Sequence, residues 1–214
     1  MQYRRVAGNP VTIRTMATAA AGAILIGAGA AAMIRATIGV TPWDVLTTAV
    51  SARTGLTVGT TGALLSLVAF AACAPFGRLP GWGNLVTMVG VSGAVDLGLA
   101  VLGEPEPVVG RVLLYGLGVP VVCFGVALVV LADIGVGPLE MVMLVATDRS
   151  VPLVRARMVI EGTTLTLGWL LGGALGLGTA LFAVAAGPLI ATSLRMQRAT
   201  VRRRAEVAAP PLRS

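Results

Sequence analysis

Histidine and lysine are both absent from this chain, and only two cysteines occur in its 214 residues. The lack of histidine removes the commonest metal ligand and general base, and neither cysteine lies in a CxxC pair or another reactive context. We expect Cys73 and Cys123, each inside an apolar segment, to be small packing residues. Because no nucleophile motif is present either, the sequence predicts a protein that is not an enzyme and that holds no metal or cofactor.

Charged residues are also scarce, at 12% of the chain against 56% hydrophobic residues. So few polar residues cannot cover a water-facing surface, and the composition therefore predicts an integral membrane protein within a lipid bilayer. All 16 basic residues are arginines, and the net charge is +7. Nucleic-acid binding is not expected, because these arginines flank apolar runs instead of lining one face.

What the sequence does contain is an internal repeat. The segment IGVTPWDV at 38–45 occurs again 96 residues later as IGVGPLEM at 134–141. After one deleted residue the match resumes, with GWGN at 81–84 against GLGT at 176–179. The repeat indicates that the chain consists of two copies of one unit.

A short helix is predicted at the start of the repeated segment. In the first copy, Thr41, Pro42 and Asp44 fit the N-cap, N1 and N3 positions of a helix that should end near Ala52. A helix of about 12 residues is about 18 Å long, well short of a bilayer core of about 30 Å. We therefore interpret this segment as a half-helix.

The second copy repeats this layout, with Gly137 as the N-cap, proline next and Glu140 at N3. In several secondary transporters, two inverted half-helices place their positive N-termini at a site near the membrane midplane. Thr41, Asp44, Gly137 and Glu140 are therefore candidate substrate or ion ligands. The alternative is that both carboxylates only cap their own helices.

Six longer apolar runs are predicted to span the membrane, at 16–33, 57–74, 83–102, 112–131, 153–171 and 179–194. The first is longer than the apolar core of a signal peptide, so we expect a spanning helix there. The arginine distribution then places both termini in the cytoplasm. Because each copy holds three spans, the two copies should point in opposite directions.

The predicted fold is all-α, with six transmembrane helices arranged as 3+3 inverted repeats and two short half-helices. Its parts are a cytoplasmic N-terminal segment (1–15), a first three-span repeat (16–102), an external linker (103–111), a second three-span repeat (112–195) and a basic cytoplasmic tail (196–214). We expect the arginines of the tail to lie against anionic lipid headgroups and the last residues to be disordered. The sequence indicates no oligomeric state.

Small residues recur along two of the predicted spans. They are Ala19, Ala23, Gly27 and Ala31 in the first span, and Gly90, Ala94 and Gly98 in the third. Such a face lets another helix approach closely, so both runs are predicted to pack against neighbouring helices.

Acidic residues inside the predicted spans are the remaining candidate site residues, since a charge at the helix centre costs about 2.5–3.5 kcal/mol on insertion scales. Glu161 lies near the middle of the fifth span, with Arg157 one turn before it and Thr164 one turn after it. It is a candidate proton- or cation-coupling carboxylate, and the alternative is an Arg–Glu pair that orients the helix. Asp96, deep in the third span and one turn after Ser92, is the second coupling candidate.

Three stretches carry a family resemblance: ADIGVGP at 132–138, TPWD at 41–44 and GWLLGG at 168–173. They resemble the YczE/YyaS/YitT group of bacterial integral membrane proteins over about residues 16–195, and the YczE branch most. That branch has an acidic residue before the first Ile/Leu-Gly pair, where this chain has Thr37, whereas Asp133 keeps the acid in the second copy. The resemblance implies a protein of the bacterial plasma membrane and supplies no reaction or substrate.

Two functions fit these observations. The first is a transporter or permease for a small solute, with its site between the half-helices and with Asp96 and Glu161 as coupling residues. The second is a non-transporting accessory or scaffold protein for another membrane or biosynthetic complex. Polar residues at depth favour the first, because a transport pathway uses them and a scaffold does not need them.

Overall fold

The chain folds into helices. The computed structural model describes residues 10–208, and the side chains of residues 10–200. In this range there are eight α-helices, a 3-10 turn (Ala74–Phe76) and no strand. The helices are α1 (Ile13–Ala36), α2 (Pro42–Thr54), α3 (Val58–Cys73), α4 (Trp82–Val101), α5 (Val108–Ala132), α6 (Pro138–Asp148), α7 (Leu153–Leu170) and α8 (Leu177–Ala208). The all-α prediction is confirmed, while the predicted disorder of the last residues concerns positions outside this range.

Within the part of the chain that the structure describes, five helical segments are long and apolar enough to cross a bilayer: Ile13–Ala36, Val58–Phe76, Trp82–Val101, Val108–Ala132 and Leu177–Thr200. The fifth predicted span, α7, is 18 residues long but differs from these five because it carries Arg155, Arg157 and Glu161. The helices α2 and α6 have 13 and 11 residues. At about 1.5 Å per residue they are too short to cross, as predicted.

The position before each Ile-Gly pair is a helix C-cap. Thr37 ends α1 with φ 54°, and Asp133 ends α5 with φ 51°, so both have left-handed backbone conformations. Short polar residues such as Asp tolerate this conformation better than bulky ones. The position where relatives of the YczE branch carry an acid thus has a backbone role in this chain, which Thr37 performs in the first copy.

The helices form two bundles. In the first, which we call the frame bundle, α1 packs against α4 and α5, and α5 packs against α8. In the second, the short-helix bundle, α2 and α6 each pack against both α3 and α7. Among the described residues, the most extensive helix contact between the two bundles is that of α3 with α4. Val45 of α2 and Leu165 of α7 also pack in the apolar cluster of the frame bundle.

Small residues line the contact of α1 with α4. A methyl group at Gly90 would lie 2.8 Å from Cβ of Ala23, and one at Gly98 would lie 2.6 Å from Cβ of Ala31. The predicted small-residue faces of the first and third spans are therefore confirmed, and they pack against each other. Because the contacting residue numbers rise together, α1 and α4 run in the same direction.

Glycines also bring α1 and α5 into close contact. A methyl group at Gly22 would lie 2.7 Å from the carbonyl oxygen of Gly125, and one at Gly29 would lie 2.8 Å from that of Gly118. The residue numbers of the two helices change in opposite directions along this contact. The helices α1 and α5, which hold equivalent positions in the two copies, are therefore antiparallel.

Several contacts between the copies occur in matched pairs. The backbone N–H of Val40 donates to Thr179 Oγ1 at 3.1 Å, and Asn84 Nδ2 donates to the carbonyl of Val136 at 2.6 Å. Val40 and Val136 are 96 residues apart, and Asn84 and Thr179 are 95 residues apart, which are the two offsets of the sequence repeat. The two residue pairs therefore hold equivalent positions. The same offsets relate two further pairs of contacts. The close approach of Gly22 to Gly125 corresponds to that of Gly118 to Gly29. The hydrogen bond from Arg53 to the carbonyl of Leu171 corresponds to the stacking of Arg149 over Phe76. The sequence repeat is thus accompanied by a repeated set of tertiary contacts.

Both cysteines are buried, unpaired and surrounded by apolar side chains. Cys123 packs in the cluster that contains Met33 and Val119, and Cys73 packs in the one that contains Phe70 and Met141. Their predicted role as packing residues is confirmed.

Candidate functional site

The N-terminus of α2 has the predicted cap. Thr41 is the N-cap, Pro42 occupies N1, and the backbone N–H of Asp44 donates to Thr41 Oγ1 at 3.2 Å. The Thr41 hydroxyl in turn donates to Asp44 Oδ2 at 2.7 Å. Asp44 is buried, and no arginine forms an ion pair with it among residues 10–200. A carboxylate and a hydroxyl are therefore joined at a buried helix N-terminus.

The N-terminus of α6 has the same backbone layout without the hydroxyl. Gly137 is the N-cap and offers no side-chain acceptor, and Pro138 follows at N1. The Glu140 carboxylate folds back over the helix end, where a methyl group at Gly137 would collide with it. In contrast to Asp44, Glu140 is exposed within the isolated chain.

Glu161 forms an ion pair on α7. Its Oε1 lies 2.9 Å from Nε of Arg157, one turn earlier, and its side chain is 33% exposed. Arg157 and Glu161 on α7 interact electrostatically with Glu140 on the neighbouring helix α6, while no hydrogen bond or ion pair between described residues joins Glu140 to either of them. Thr164, predicted to share this face, is buried and donates to the carbonyl of Ile160, so it adds nothing to the charged cluster.

Asp96 joins two helices. Its Oδ2 accepts a hydrogen bond from Thr57 Oγ1 at 2.6 Å, and its Oδ1 accepts one from the backbone N–H of Gly59 at 2.7 Å. Thr57 is the N-cap of α3, so Asp96 binds the start of α3 from α4. We call these three residues the Asp96 clamp. Asp96 is five residues from Val101, the last residue of α4, or about 7.5 Å along the helix.

The six predicted site residues therefore occupy three separate places. Thr41 and Asp44 are together at the start of α2, and Gly137 and Glu140 lie with Glu161 between α6 and α7. Asp96 belongs to the contact of α3 with α4. No hydrogen bond or ion pair between described residues joins Asp44 to Glu140.

Two ion pairs that the sequence did not predict connect segments outside the helix centres. Arg35 pairs with Glu104 at 2.9 Å and also donates to the carbonyl of Leu99. Arg78 forms a bidentate pair with Asp148, its closest distance being 2.8 Å. The only sequence signal for these pairs was their charge, since the partners are 69 and 70 residues apart.

Comparisons with known proteins identify relatives of the chain and no function. A family model described as "Family of unknown function (DUF6198)" matches residues 13–195. The "Uncharacterized membrane protein YczE" of Bacillus subtilis is 30% identical over 201 residues, covering 89% of this chain and 93% of the relative. An "Uncharacterized protein" of Haemophilus influenzae is 28% identical over 169 residues, covering 78% of this chain and 77% of the relative. No solved structure matches. With its apolar helices and these relatives, the chain belongs to the YczE-like membrane proteins of the DUF6198 family.

Proposed function

We propose that this protein is a transporter or permease for a small solute, and not an enzyme. The observation that supports this proposal best is the cluster of Glu140, Arg157 and Glu161 between the short helix α6 and α7. Charged groups within a membrane protein are costly unless they are paired or hydrated, and they are typical of ion and substrate pathways. Two carboxylates and one guanidinium leave one negative charge, which a bound proton or cation would balance.

The proposal includes six membrane crossings, with α7 as the sixth, and two inverted three-span repeats. Since α1 and α4 are parallel, the chain must cross an odd number of times between them, and α3 supplies that crossing if α2 does not span. The antiparallel contact of α1 with α5 supports copies that point in opposite directions. The arginine distribution then favours a bacterial plasma-membrane protein with both termini in the cytoplasm, and its basic tail against anionic headgroups.

Within this proposal, Glu161 is the coupling residue, and Glu140 and Asp44 are further ligands. Glu161 lies eight residues after the first residue of α7, or about 12 Å into the helix. Protonation of Glu161 would release Arg157 from its ion pair, and Arg157 could then bind an anionic group of the solute. The solute class that fits is therefore a small organic anion taken up with a proton.

The test uses Glu161→Gln in purified protein reconstituted into lipid vesicles. Metabolites that differ between cells with and without the gene supply the solutes to try, and a pH-sensitive dye inside the vesicles reports proton movement. We expect Glu161→Gln to fold normally and to lose solute accumulation driven by a pH gradient, because the amide keeps the size of the side chain and cannot titrate.

Glu104→Gln is the matched control, since Glu104 also pairs with an arginine at 2.9 Å but lies in the segment that joins α4 to α5. It should keep full activity. Full pH-driven accumulation by Glu161→Gln would rule out the coupling role. If Glu161→Gln is unstable and the double variant with Arg157→Gln restores stability, the pair is structural, and an accessory or scaffold function is favoured.

A further inference from the structure

The two copies differ in the contact that joins the short-helix bundle to the frame bundle. In the first copy, Asp96 of α4 holds Thr57 and Gly59 at the start of α3. A methyl group at Gly59 would collide with the carbonyl of Ser92 and would lie 2.7 Å from Asp96 Cγ, so α3 and α4 are in close backbone contact. Among the described residues, this is the closest contact between a helix of the short-helix bundle and a helix of the frame bundle, and the apolar side chains of Val45 and Leu165 add a second contact through the core of the frame bundle.

The equivalent contact in the second copy would join α7 to α8. The two segments correspond at an offset of 95 residues, because α3 begins at Val58 and α7 at Leu153. The offset is the same at the other end, where Gly77 and Gly172 both have positive φ, at 76° and 80°. At this offset, the three residues of the Asp96 clamp become Pro152, Val154 and Ala191.

None of the three replacements can rebuild the clamp. Pro152 has no hydroxyl to donate, Ala191 has no carboxylate to accept, and Val154 adds a bulky side chain where Gly59 allows close approach. Correspondingly, α7 and α8 lack the close backbone packing of α3 and α4 among the described residues, and the contact of α7 with this side of the frame bundle is made by the side chain of Leu165, which packs against the cluster that contains Ala186. Val154 is 70% exposed, and a methyl group at Gly187, the counterpart of Ser92, would meet nothing within 4 Å.

We propose that the short-helix bundle moves against the frame bundle as a hinged body, with the Asp96 clamp as the hinge and the α7–α8 edge as the side that opens and closes. The Glu140, Arg157 and Glu161 cluster lies in the moving body, on α6 and α7. Movement about the hinge changes the access to this cluster from the lipid and from the two aqueous sides. The proposed motion goes beyond the proposed function, and its test requires no transported solute.

The experiment measures distances between pairs of spin labels in lipid nanodiscs. The labels replace Leu64 and Val89 on the hinged edge, and Val159 and Val184 on the opening edge, with Cys73 and Cys123 changed to alanine. All four labelled positions are exposed, and the two pairs correspond at an offset of 95 residues. We expect the α7–α8 distance distribution to be broader than the α3–α4 distribution by at least about 1–2 Å, the scale of helix shifts at packed interfaces.

Introducing the three residues of the Asp96 clamp into the second copy tests whether the clamp causes the difference between the two edges. The triple variant Pro152→Thr, Val154→Gly and Ala191→Asp should narrow the α7–α8 distribution toward that of α3–α4. In the other direction, Asp96→Ala should broaden the α3–α4 distribution, and this variant decides the question if the triple variant does not fold. Equally narrow distributions for both edges in the unmodified chain, or no response of the α3–α4 edge to Asp96→Ala, would overturn the hinge.

Discussion

Substitution of Gly125 by alanine tests the close contact of α1 with α5. The added methyl group would lie 2.6 Å from the carbonyl oxygen of Gly22 and 2.8 Å from the backbone nitrogen of Ile26. Both atoms belong to the backbone of α1, so no side-chain rotation can relieve the collision. The two helices must therefore move apart, and the surrounding contacts of the frame bundle are lost with them.

The expected loss in the free energy of unfolding follows from a comparison of two glycines within α5. Alanine is favoured over glycine inside a helix by roughly 0.5–1 kcal/mol, and this gain applies equally at Gly125 and Gly116. A methyl group at Gly116 would meet nothing within 4 Å, so only the gain applies there. Overpacking costs about 1–3 kcal/mol, and we expect Gly125→Ala to be less stable than Gly116→Ala by about that amount.

The two variants are compared by unfolding the purified protein in mixed detergent micelles with increasing SDS, with helix content followed by circular dichroism. The difference between the midpoints, converted with a common slope, gives the difference in the free energy of unfolding. Gly22→Ala, on the other side of the contact, should behave like Gly125→Ala. Equal stability of Gly125→Ala and Gly116→Ala would refute the packing of α1 against α5.

Three further predictions use simpler measurements. Thr41→Ala should lower the free energy of unfolding by about 0.5–2 kcal/mol in the same assay, because the backbone N–H of Asp44 loses its acceptor. A double-mutant cycle with Arg78→Ala and Asp148→Ala should give a coupling energy of about 0.2–1 kcal/mol. The coupling should fall as salt is added, because both side chains are substantially exposed. A coupling energy that salt leaves unchanged would contradict this account. Reporter domains fused before Met1 and after Ser214 should both be cytoplasmic, and one inserted at residues 103–107 should be external; termini on opposite sides would mean an odd number of crossings.

Local features of this fold could be predicted from the sequence because they depend on residues close together in the chain. The cap of α2 needs only Thr41, Pro42 and Asp44, whose chemistry and spacing are specific to a helix start. The small-residue faces are equally local, since successive helix turns bring Gly90, Ala94 and Gly98 onto one surface. The sequence does not predict which helix packs against each small-residue face, because every such face allows the same close approach of a second helix.

The role of Asp96 was missed because its partners are distant in sequence. Thr57 and Gly59 precede it by 39 and 37 residues, and nothing near Asp96 indicates that it binds the start of another helix. From the sequence alone, an acidic residue inside an apolar run predicts a functional role, because a charged side chain within lipid is energetically costly. That reasoning favours a coupling role for Asp96. The available signal was indirect: a threonine and a glycine open one apolar helix, and a carboxylate lies near the end of the next.

The two copies share a backbone layout but differ in the state of their acidic groups, and this difference favours the second copy as the place of function. In the first copy, Asp44 is bound by the Thr41 hydroxyl, and Asp96 accepts two hydrogen bonds from the start of α3. In the second copy, Gly137 offers Glu140 no hydroxyl, and Glu161 has only its one arginine partner. A carboxylate that accepts intrachain hydrogen bonds has part of its hydrogen-bonding capacity satisfied, whereas one that lacks them keeps all of it for a proton, a cation or a solute. The two copies have thus kept the same short helices, while the carboxylates of the second copy accept fewer intrachain hydrogen bonds among the described residues and, in the proposed transporter, are the more available ones for a ligand.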